Sequence, residues 1–516
     1  MNNASPNLCL ALGSRASVEG RKFAITLFKS SAPFALQTTA FGAYWQIPFP
    51  PRTGPTLMRF VNLTRNIEIG ANAYLLEIGG KSVVIDSGMH PKEEGDSALP
   101  RLDLLDGHHV ETIFLSHAHL DHVGSLPVTT RRLPNSRVFM TEPTASLADA
   151  ILHNSVNVMG RKKEAHDLPN YPLFTHRETD HQEHSWISFP LEHPYTLEGE
   201  NLPVDELNTP GFRFHHAGHI LGAVSIEFFA DGKRLLYTSD VNFDDQTIMS
   251  AAQLPRDGID TLIIETTRGD NPTPEGWTRK SEERRFAEAL AAGLERGSVL
   301  VPVFALGKTQ EVLAMVHDFR AQQWLPRELD IYIGGLSTKI STIYDRYANQ
   351  QPRQLPGFQV LPKVAPRVLS GRTVGNAPIR EHCLYAISSG MMTENTLSNV
   401  LARRFLQQER HSIFFVGYSD PQSPAGRLRA VPRGGTVELD PEHPDIPKRC
   451  DEQNFNFSAH ATRESLLNYI VSLNPRQVLL VHGDQPAINW FQQQLQTAAP
   501  HMKVIIPQPG ESIDLS

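Results

Sequence analysis

The stretch LSHAHLDHVGSLP, Leu115 to Pro127, packs His117, His119, Asp121 and His122 into six residues. Three imidazoles and a carboxylate crowded on one turn repel or go unsatisfied unless something positive organises them. A divalent ion, or a pair, is the simplest organiser, since imidazole and carboxylate suit zinc-like ions. A solvated histidine-rich loop is the bland alternative in a chain with 22 histidines. The cluster directly follows an apolar run, VETIF, so it sits where a strand ends and its loop carries a site.

Working outward, 516 residues exceed one ordinary core, so two or more domains are expected. No run of 18 apolar residues is present, so no membrane span is expected. Cys9, Cys383 and Cys450 lack CxxC spacing. That argues against a disulfide framework or thiolate metal site and fits a reducing, cytoplasmic setting. The net charge of −8 gives no global basic footprint for nucleic acid, although bound metal ions can supply positive charge locally. Residues 1–57 carry five basic side chains against the single acid Glu19. This segment reads as a poorly ordered leader or a misassigned start rather than as part of the fold.

From Met58 the texture is strand-like: NAYLLEI, KSVVIDSG and VETIFLSH are apolar runs that end in polar residues. A histidine-rich polar stretch from His153 to Asn208 follows, in which His166, His176, His181, His184 and His193 lack ligand spacing and read as solvated. FRFHHAGHILGAVSIEFF, KRLLYTSD and DTLIIETTRGD then supply strands ending near His219, Asp240 and Glu265. His215 and His216 read as structural or surface residues. Beyond Asn271, helices such as SEERRFAEALAAGLERG alternate with strands such as SVLVPVFAL, the pattern of a doubly wound α/β domain with a parallel sheet. The tail returns to the first style in NFSAHATRESLLNYI and QVLLVHGD. The domains expected are a leader over 1–57, an N-terminal part over 58–270, an α/β insertion over 271–435 and a C-terminal part over 436–516.

His-x-His-x-Asp-His after a strand, then a lone His, a strand-end Asp and a late strand-end His, resemble the metallo-β-lactamase fold. With its α/β insertion the chain is similar to the β-CASP branch, RNA-processing nucleases that include RNase J and the nuclease subunit of the pre-mRNA cleavage and polyadenylation complex. The resemblance covers about 58–510 and implies an αββα metallo-β-lactamase sandwich with an inserted doubly wound α/β β-CASP domain. It makes Asp86 in VVIDSG the acid that holds the histidine loop. It assigns His117, His119, Asp121, His122, His219, Asp240 and His482 to the metals, and Glu265 and His460 to the two β-CASP catalytic motifs. Histidine at position 482 resembles the RNA-cleaving members; DNA-cleaving ones carry valine there. Ser388, Ser389 and Gly390 of SSGM, with Lys308 of ALGKTQEVL, are candidates for gripping phosphate.

Seven ligands suffice for two ions, Zn2+ or alternatively Mn2+. His117, His119 and His219 hold one, Asp121, His122 and His482 the other, and Asp240 is shared. Such a pair lowers the pKa of water and neutralises charge on an attacked phosphate. Asp121 would orient or deprotonate the water, and His460, steadied by Glu265, would serve the leaving oxygen. The expected activity is zinc-dependent hydrolysis of single-stranded RNA, internally or from the 5′ end, with DNA disfavoured and a homodimer left open. A metallohydrolase for a smaller ester and a non-catalytic scaffold are the alternatives. Four places depart from the family pattern: Thr462 in SAHAT, the TENT segment after SSGMM, the loop GYSDPQSPAGR, and Arg268.

Overall fold

The computed structural model describes residues 58–166, 168–369 and 378–515; the leader read over 1–57 lies outside them. Two seven-stranded sheets lie face to face. In the first, Ser512–Leu515, Met58–Asn62, Tyr74–Ile78 and Lys81–Ile85 are antiparallel, and Val110–Phe114, Arg137–Met140 and Trp186–Ser188 continue in parallel. In the second, Lys503–Ile505, Gln477–Val481, Thr261–Glu265 and Lys233–Tyr237 are parallel. Val224–Ala230, Gly211–His216 and Pro194–Thr196 complete it antiparallel.

Strand alternation explains the layers. Leu235 and Tyr237 point between the sheets, against Phe60, Tyr74, Phe114 and Phe228. Leu236 points outward, against Leu466, Ile470 and Phe491 of the helices Arg463–Leu473 and Gln485–Ala498. The outer face of the first sheet, Leu75, Val84 and Ile113, is covered by Leu126, Leu147 and Leu152. The result is the expected αββα order.

A third sheet is wholly parallel. Its order is Arg367–Leu369, Ile331–Gly334, Leu384–Ile387, Val299–Pro302, Ser412–Phe415 and Asp451–Asn454. Val299 and Val301 face one apolar cluster and Leu300 another, so helices bury both sides. This unit is inserted between two hydrogen-bonded neighbours of the second sheet, Thr261–Glu265 and Gln477–Val481.

One expectation changes. The insertion is expected to end at 435, but Asp451–Asn454 is the edge strand of its sheet. That strand is DEQN, with no apolar residue to mark it. The polar stretch from His153 begins inside the helix Glu142–His166, and Thr175 and Glu178 form a capping box for His176–Gln182. His176, His181 and His184 are exposed there.

His215 and His216 are buried structural residues. The fully buried Glu227 accepts hydrogen bonds from Arg234 Nε (2.6 Å) and His215 Nε2 (2.9 Å), while His215 Nδ1 faces Glu192 (3.0 Å). Burial would raise the Glu227 carboxyl, but His215 and Arg234 outweigh it and bring it down to about 2. Burial would lower His215, yet Glu192 and Glu227 raise it. The carboxylate's contribution, about 3 kcal/mol, is present above the ordinary value near 4.5 and lost as pH falls through about 2. The imidazolium's contribution is complete below about 6.5 and fades as pH rises through its raised folded value. In chemical denaturation, Glu227→Gln is therefore expected to be less stable than wild type by about 3 kcal/mol near pH 5.5. The gap should narrow towards pH 3; a constant gap would refute this electrostatic origin.

Candidate metal centre

Asp86, His122, Asp240, Glu265 and His482 all come from strand ends at one edge of the sandwich or from the loops that follow. Parallel pairing sets Glu265 opposite Val481, which brings the next residue, His482, beside the acid motif. Three non-glycine residues here adopt left-handed backbone, Asp86 (φ 60°), Ser239 (φ 53°) and His482 (φ 51°). Such strain costs roughly 1–3 kcal/mol each and collects where side chains must be aimed.

The histidine loop is clamped from below. Ser87 N–H donates to His122 O (2.7 Å), Met89 N–H to Leu120 O (2.9 Å) and Asn72 N–H to Asp121 O (2.9 Å). A β-carbon at Gly88 would stand 1.8 Å from Asp121 O, so the VVIDSG turn needs glycine there. Asp86, wholly buried, accepts from Ser116 N–H (2.8 Å), Ser116 Oγ (2.9 Å), His122 Nδ1 (2.8 Å) and Tyr237 Oη (2.8 Å). These contacts tie it to the histidine loop at Ser116 and His122 and to the strand Lys233–Tyr237 at Tyr237. Tyr237 is a partner that sequence reasoning missed, although its place in LLYTSD, three residues before Asp240, was available as a signal.

Four nitrogen and oxygen atoms converge around one point. His119 Nδ1 lies 3.2 Å from His117 Nε2 and 3.0 Å from His219 Nε2. Asp240 Oδ2 lies 3.4 Å from His117 Nε2 and 3.5 Å from His219 Nε2. A tetrahedral ion with bonds of about 2.0–2.1 Å spaces its ligands roughly 3.4 Å apart, so this set fits a divalent cation. On the other side, Asp240 Oδ1 lies 3.5 Å from His122 Nε2 and 3.1 Å from His482 Nδ1, and Asp121 Oδ2 is 3.4 Å from His482 Nε2. Asp240 Oδ1 is buried with no hydrogen-bond partner. An orphaned carboxylate oxygen facing imidazoles is an empty valence that a cation satisfies.

Outer partners fix the rings. His122 Nδ1 is held by Asp86, His219 Nδ1 by Ala459 O (2.8 Å), and His117 Nδ1 by Ser116 Oγ (3.1 Å) and Ser239 Oγ (3.3 Å). Each leaves Nε2 turned towards Asp240, the usual second support of a metal-binding histidine. Burial pushes the pKa of His117 down and that of His119 to about 3, with neighbouring imidazolium adding to both; His219 is lowered for the same reasons, with His460 as the neighbour. These three are neutral at pH 7, as ligation requires. Burial also works against a charged His122, but Asp240, Asp86 and Asp121 outweigh it. Asp121 would be raised by burial, and His122 with His482 lowers it instead.

His460 Nδ1 faces both oxygens of Glu265 at 3.0 Å, which turns Nε2 towards Asp240 Oδ2, 3.9 Å away. Glu265 Oε1 is itself fixed by Val241 N–H (2.8 Å). Burial opposes the His460 imidazolium, yet Glu265 and Asp240 outweigh it and raise the ring to about 9. His460 thus stands at the edge of the cluster with its protonated form favoured.

The four phosphate candidates separate. Lys308 Nζ donates to Phe457 O, three residues before His460. Burial and nearby Arg279 bring its pKa down to about 8. Ser388 Oγ donates to Gly334 O (3.4 Å) and Ser389 Oγ bonds Thr393 Oγ1 (3.2 Å), so both are placed by contacts of the inserted domain. Gly390 lies against Phe304. Three of the four departures from the family pattern are helix caps: Thr462 for Arg463–Leu473, Thr396 of TENT for Leu397–Phe405, and Ser423 for Pro424–Ala430. The fourth, Arg268, is buried with Nη1 3.5 Å from His460 O.

Comparison with known proteins follows this geometry. Residues 67–291 match the metallo-beta-lactamase superfamily, 309–428 the Beta-Casp domain, and 445–507 the Zn-dependent metallo-hydrolase RNA specificity domain. The chain is 27% identical over 438 residues to "Endoribonuclease YSH1" of Eremothecium gossypii, covering 83% of this chain and 55% of the relative. It is 27% identical over 471 residues to "Cleavage and polyadenylation specificity factor 73" of Drosophila melanogaster, covering 89% and 65%. It is 28% identical over 426 residues to an "RNase J-like protein" of Methanocaldococcus jannaschii, covering 81% and 90%. The chain thus spans about half the length of the fungal relative (55%). A crystal structure of a protein of unknown function from Enterococcus faecalis shares the fold, with a TM-score of 0.51 at 14% identity over 89% of this chain and 100% of that one.

Removing the clamp tests its role. Asp86→Ala leaves a buried His122 and Tyr237 unpartnered, and is expected to destabilise the metal-free protein by about 3–5 kcal/mol in urea denaturation. Divalent-ion affinity by titration calorimetry should weaken roughly 10- to 100-fold. Unchanged affinity would mean that Asp86 does not orient the ligands.

Proposed function

The chain belongs to the metallo-β-lactamase superfamily in its β-CASP branch, and on that premise we propose that it is a zinc-dependent ribonuclease hydrolysing phosphodiester bonds of single-stranded RNA. The observation that carries this reading is the Glu265–His460 pair, which aims a protonated imidazole at the same carboxylate that the metal ligands surround. Phosphodiester hydrolysis needs a base for water and an acid for a poor leaving group, and the site offers both. The match of residues 445–507, the segment that carries His460 and His482, to an RNA specificity domain supports RNA as the polymer.

Two divalent ions, zinc or manganese, would be held by His117, His119 and His219 and by Asp121, His122 and His482, with Asp240 between them. Bound there, they would supply positive charge for the phosphate and acidify water. Asp121, ionised by its histidine neighbours, takes the proton of the attacking water on a carboxylate oxygen. As the P–O bond to the departing nucleoside breaks, His460 Nε2 gives its proton to the released oxygen, and Glu265 balances the ring's charge throughout. His219 links this acid to the ligands through its bond to Ala459 O, next to His460.

Cleavage of 5′- and 3′-labelled single-stranded RNA, with matching DNA, tests the proposal in added zinc or manganese. Wild-type protein is expected to cut RNA, and a chelator to stop it. Asp121→Ala and His460→Ala should each lower the rate roughly 10²- to 10⁴-fold. The two labels separate internal from end-directed cutting. Metal-loaded protein that leaves RNA intact but hydrolyses small esters would overturn the reading.

A further inference from the structure

Eight large hydrophobic side chains are exposed among the described residues, and the two aromatic ones, Phe304 (39%) and Tyr418 (66%), stand at one edge of the inserted sheet. Phe304 follows the strand Val299–Pro302, and Tyr418 follows its parallel neighbour Ser412–Phe415. The SSGM loop follows the neighbour on the other side, Leu384–Ile387. The chain leaves Val299–Pro302 towards Ile331–Gly334 on one flank, and later crosses from Leu384–Ile387 to Ser412–Phe415 on the other. The carboxyl ends of strands at such a reversal form the crevice where open α/β sheets take ligands.

A chain of contacts joins the two rings to the loops of the metal centre. A β-carbon at Gly390 would come within 3.2 Å of Phe304 Cδ2, so the SSGM loop lies directly against the Phe304 ring. Met391, the next residue, meets Asp420 through its sulfur (3.3 Å), and Tyr418 Oη bonds Asp420 (3.4 Å). Asp420 is paired with Lys92, from the loop that begins at Asp86. Asp484, two residues past His482, lies within electrostatic reach of both Tyr418 and Lys92. Behind Tyr418, the Gly417 position lies 3.9 Å from Lys308 Cε, and Lys308 reaches the His460 loop at Phe457 O. Both rings therefore stand on loops that contact the loops beginning at Asp86 and carrying His460.

We propose that Phe304 and Tyr418 are a base-stacking rim, on which nucleobases of a single RNA strand lie while its phosphate enters the metal centre. This rests on the ribonuclease reading above and adds to it the feature that selects single strands. Every nucleobase offers a π-face, so stacking binds without regard to sequence, and paired bases inside a duplex have no free face to give. No global basic footprint is needed, which suits a chain of net charge −8.

The test measures kcat and KM for wild type, Phe304→Ala, Tyr418→Ala and the conservative Phe304→Tyr and Tyr418→Phe. Substrates are a single-stranded RNA, the same RNA with abasic riboses beside the cleavage site, and bis(p-nitrophenyl) phosphate, a diester with no base. Each alanine variant is expected to raise KM for intact RNA roughly tenfold, within the range for loss of one stacked base. Hydrolysis of the small diester should be unchanged, and the aromatic replacements should restore RNA cleavage. Wild type on abasic RNA should fall to the level of the alanine variants. Equal losses on RNA and small diester would overturn the stacking role in favour of a structural one, as would alanine variants that cleave RNA like wild type. A wild type active on the small diester but not on RNA would overturn the ribonuclease reading itself and the rim with it.

Discussion

The buried carboxylate of Asp240 is the point on which the rest turns. It is 2% exposed and faces His482 at 3.1 Å, His117 at 3.4 Å, His122 and His219 at 3.5 Å, and His460 at 3.9 Å. One carboxylate cannot satisfy five imidazoles, four of them buried, by hydrogen bonding, and its Oδ1 makes no such bond. Burying so many polar groups is costly unless a cation takes the lone pairs. The histidines around His119 are kept neutral, whereas His122 and His460, each backed by its own acid, are kept charged without the ion. His122 must therefore release a proton before its Nε2 could take a metal ion, which the neutral histidines need not do.

Topology delivers these groups to one place. The insertion separates Glu265 from His482 by more than two hundred residues of chain, yet it leaves and re-enters the second sheet at adjacent parallel strands. The re-entering chain then supplies His460 from the loop before Arg463–Leu473, and Ala459 O of that loop holds His219. His219 of the sandwich and the loop that carries His460 are thus tied together by one hydrogen bond. The same re-entering segment supplies Lys503–Ile505 and Ser512–Leu515, so both sheets are closed by residues from the end of the described chain.

Much of this was legible in the sequence, for identifiable reasons. Strands ending in polar motifs were readable because both faces are buried: VVI, TIF, LLY and LIIE are runs that few other structures explain. His117, Asp240 and His482 were readable as candidates because each follows such a run. Short edge strands were not readable. DEQN at Asp451–Asn454 has one paired side and solvent on the other, and so carries no apolar signature. The helix Glu142–His166 was hidden because its second half, from His153, carries mostly polar and charged residues. The departures at Thr462, TENT and Ser423 had no visible purpose in the sequence, but each threonine or serine caps a helix, a role that only the backbone reveals. Tyr237 and Ser239, which orient the first ligands, lie beside Asp240 but became partners only when the sheets were stacked.

Anomalous X-ray scattering from crystals of the zinc-loaded protein is the most direct test of the di-metal centre. Two peaks are expected in each chain, one within His117, His119 and His219 and one within Asp121, His122 and His482, with Asp240 touching both. A single peak, or zinc bound away from Asp240, would contradict the assignment of these seven side chains to one paired site.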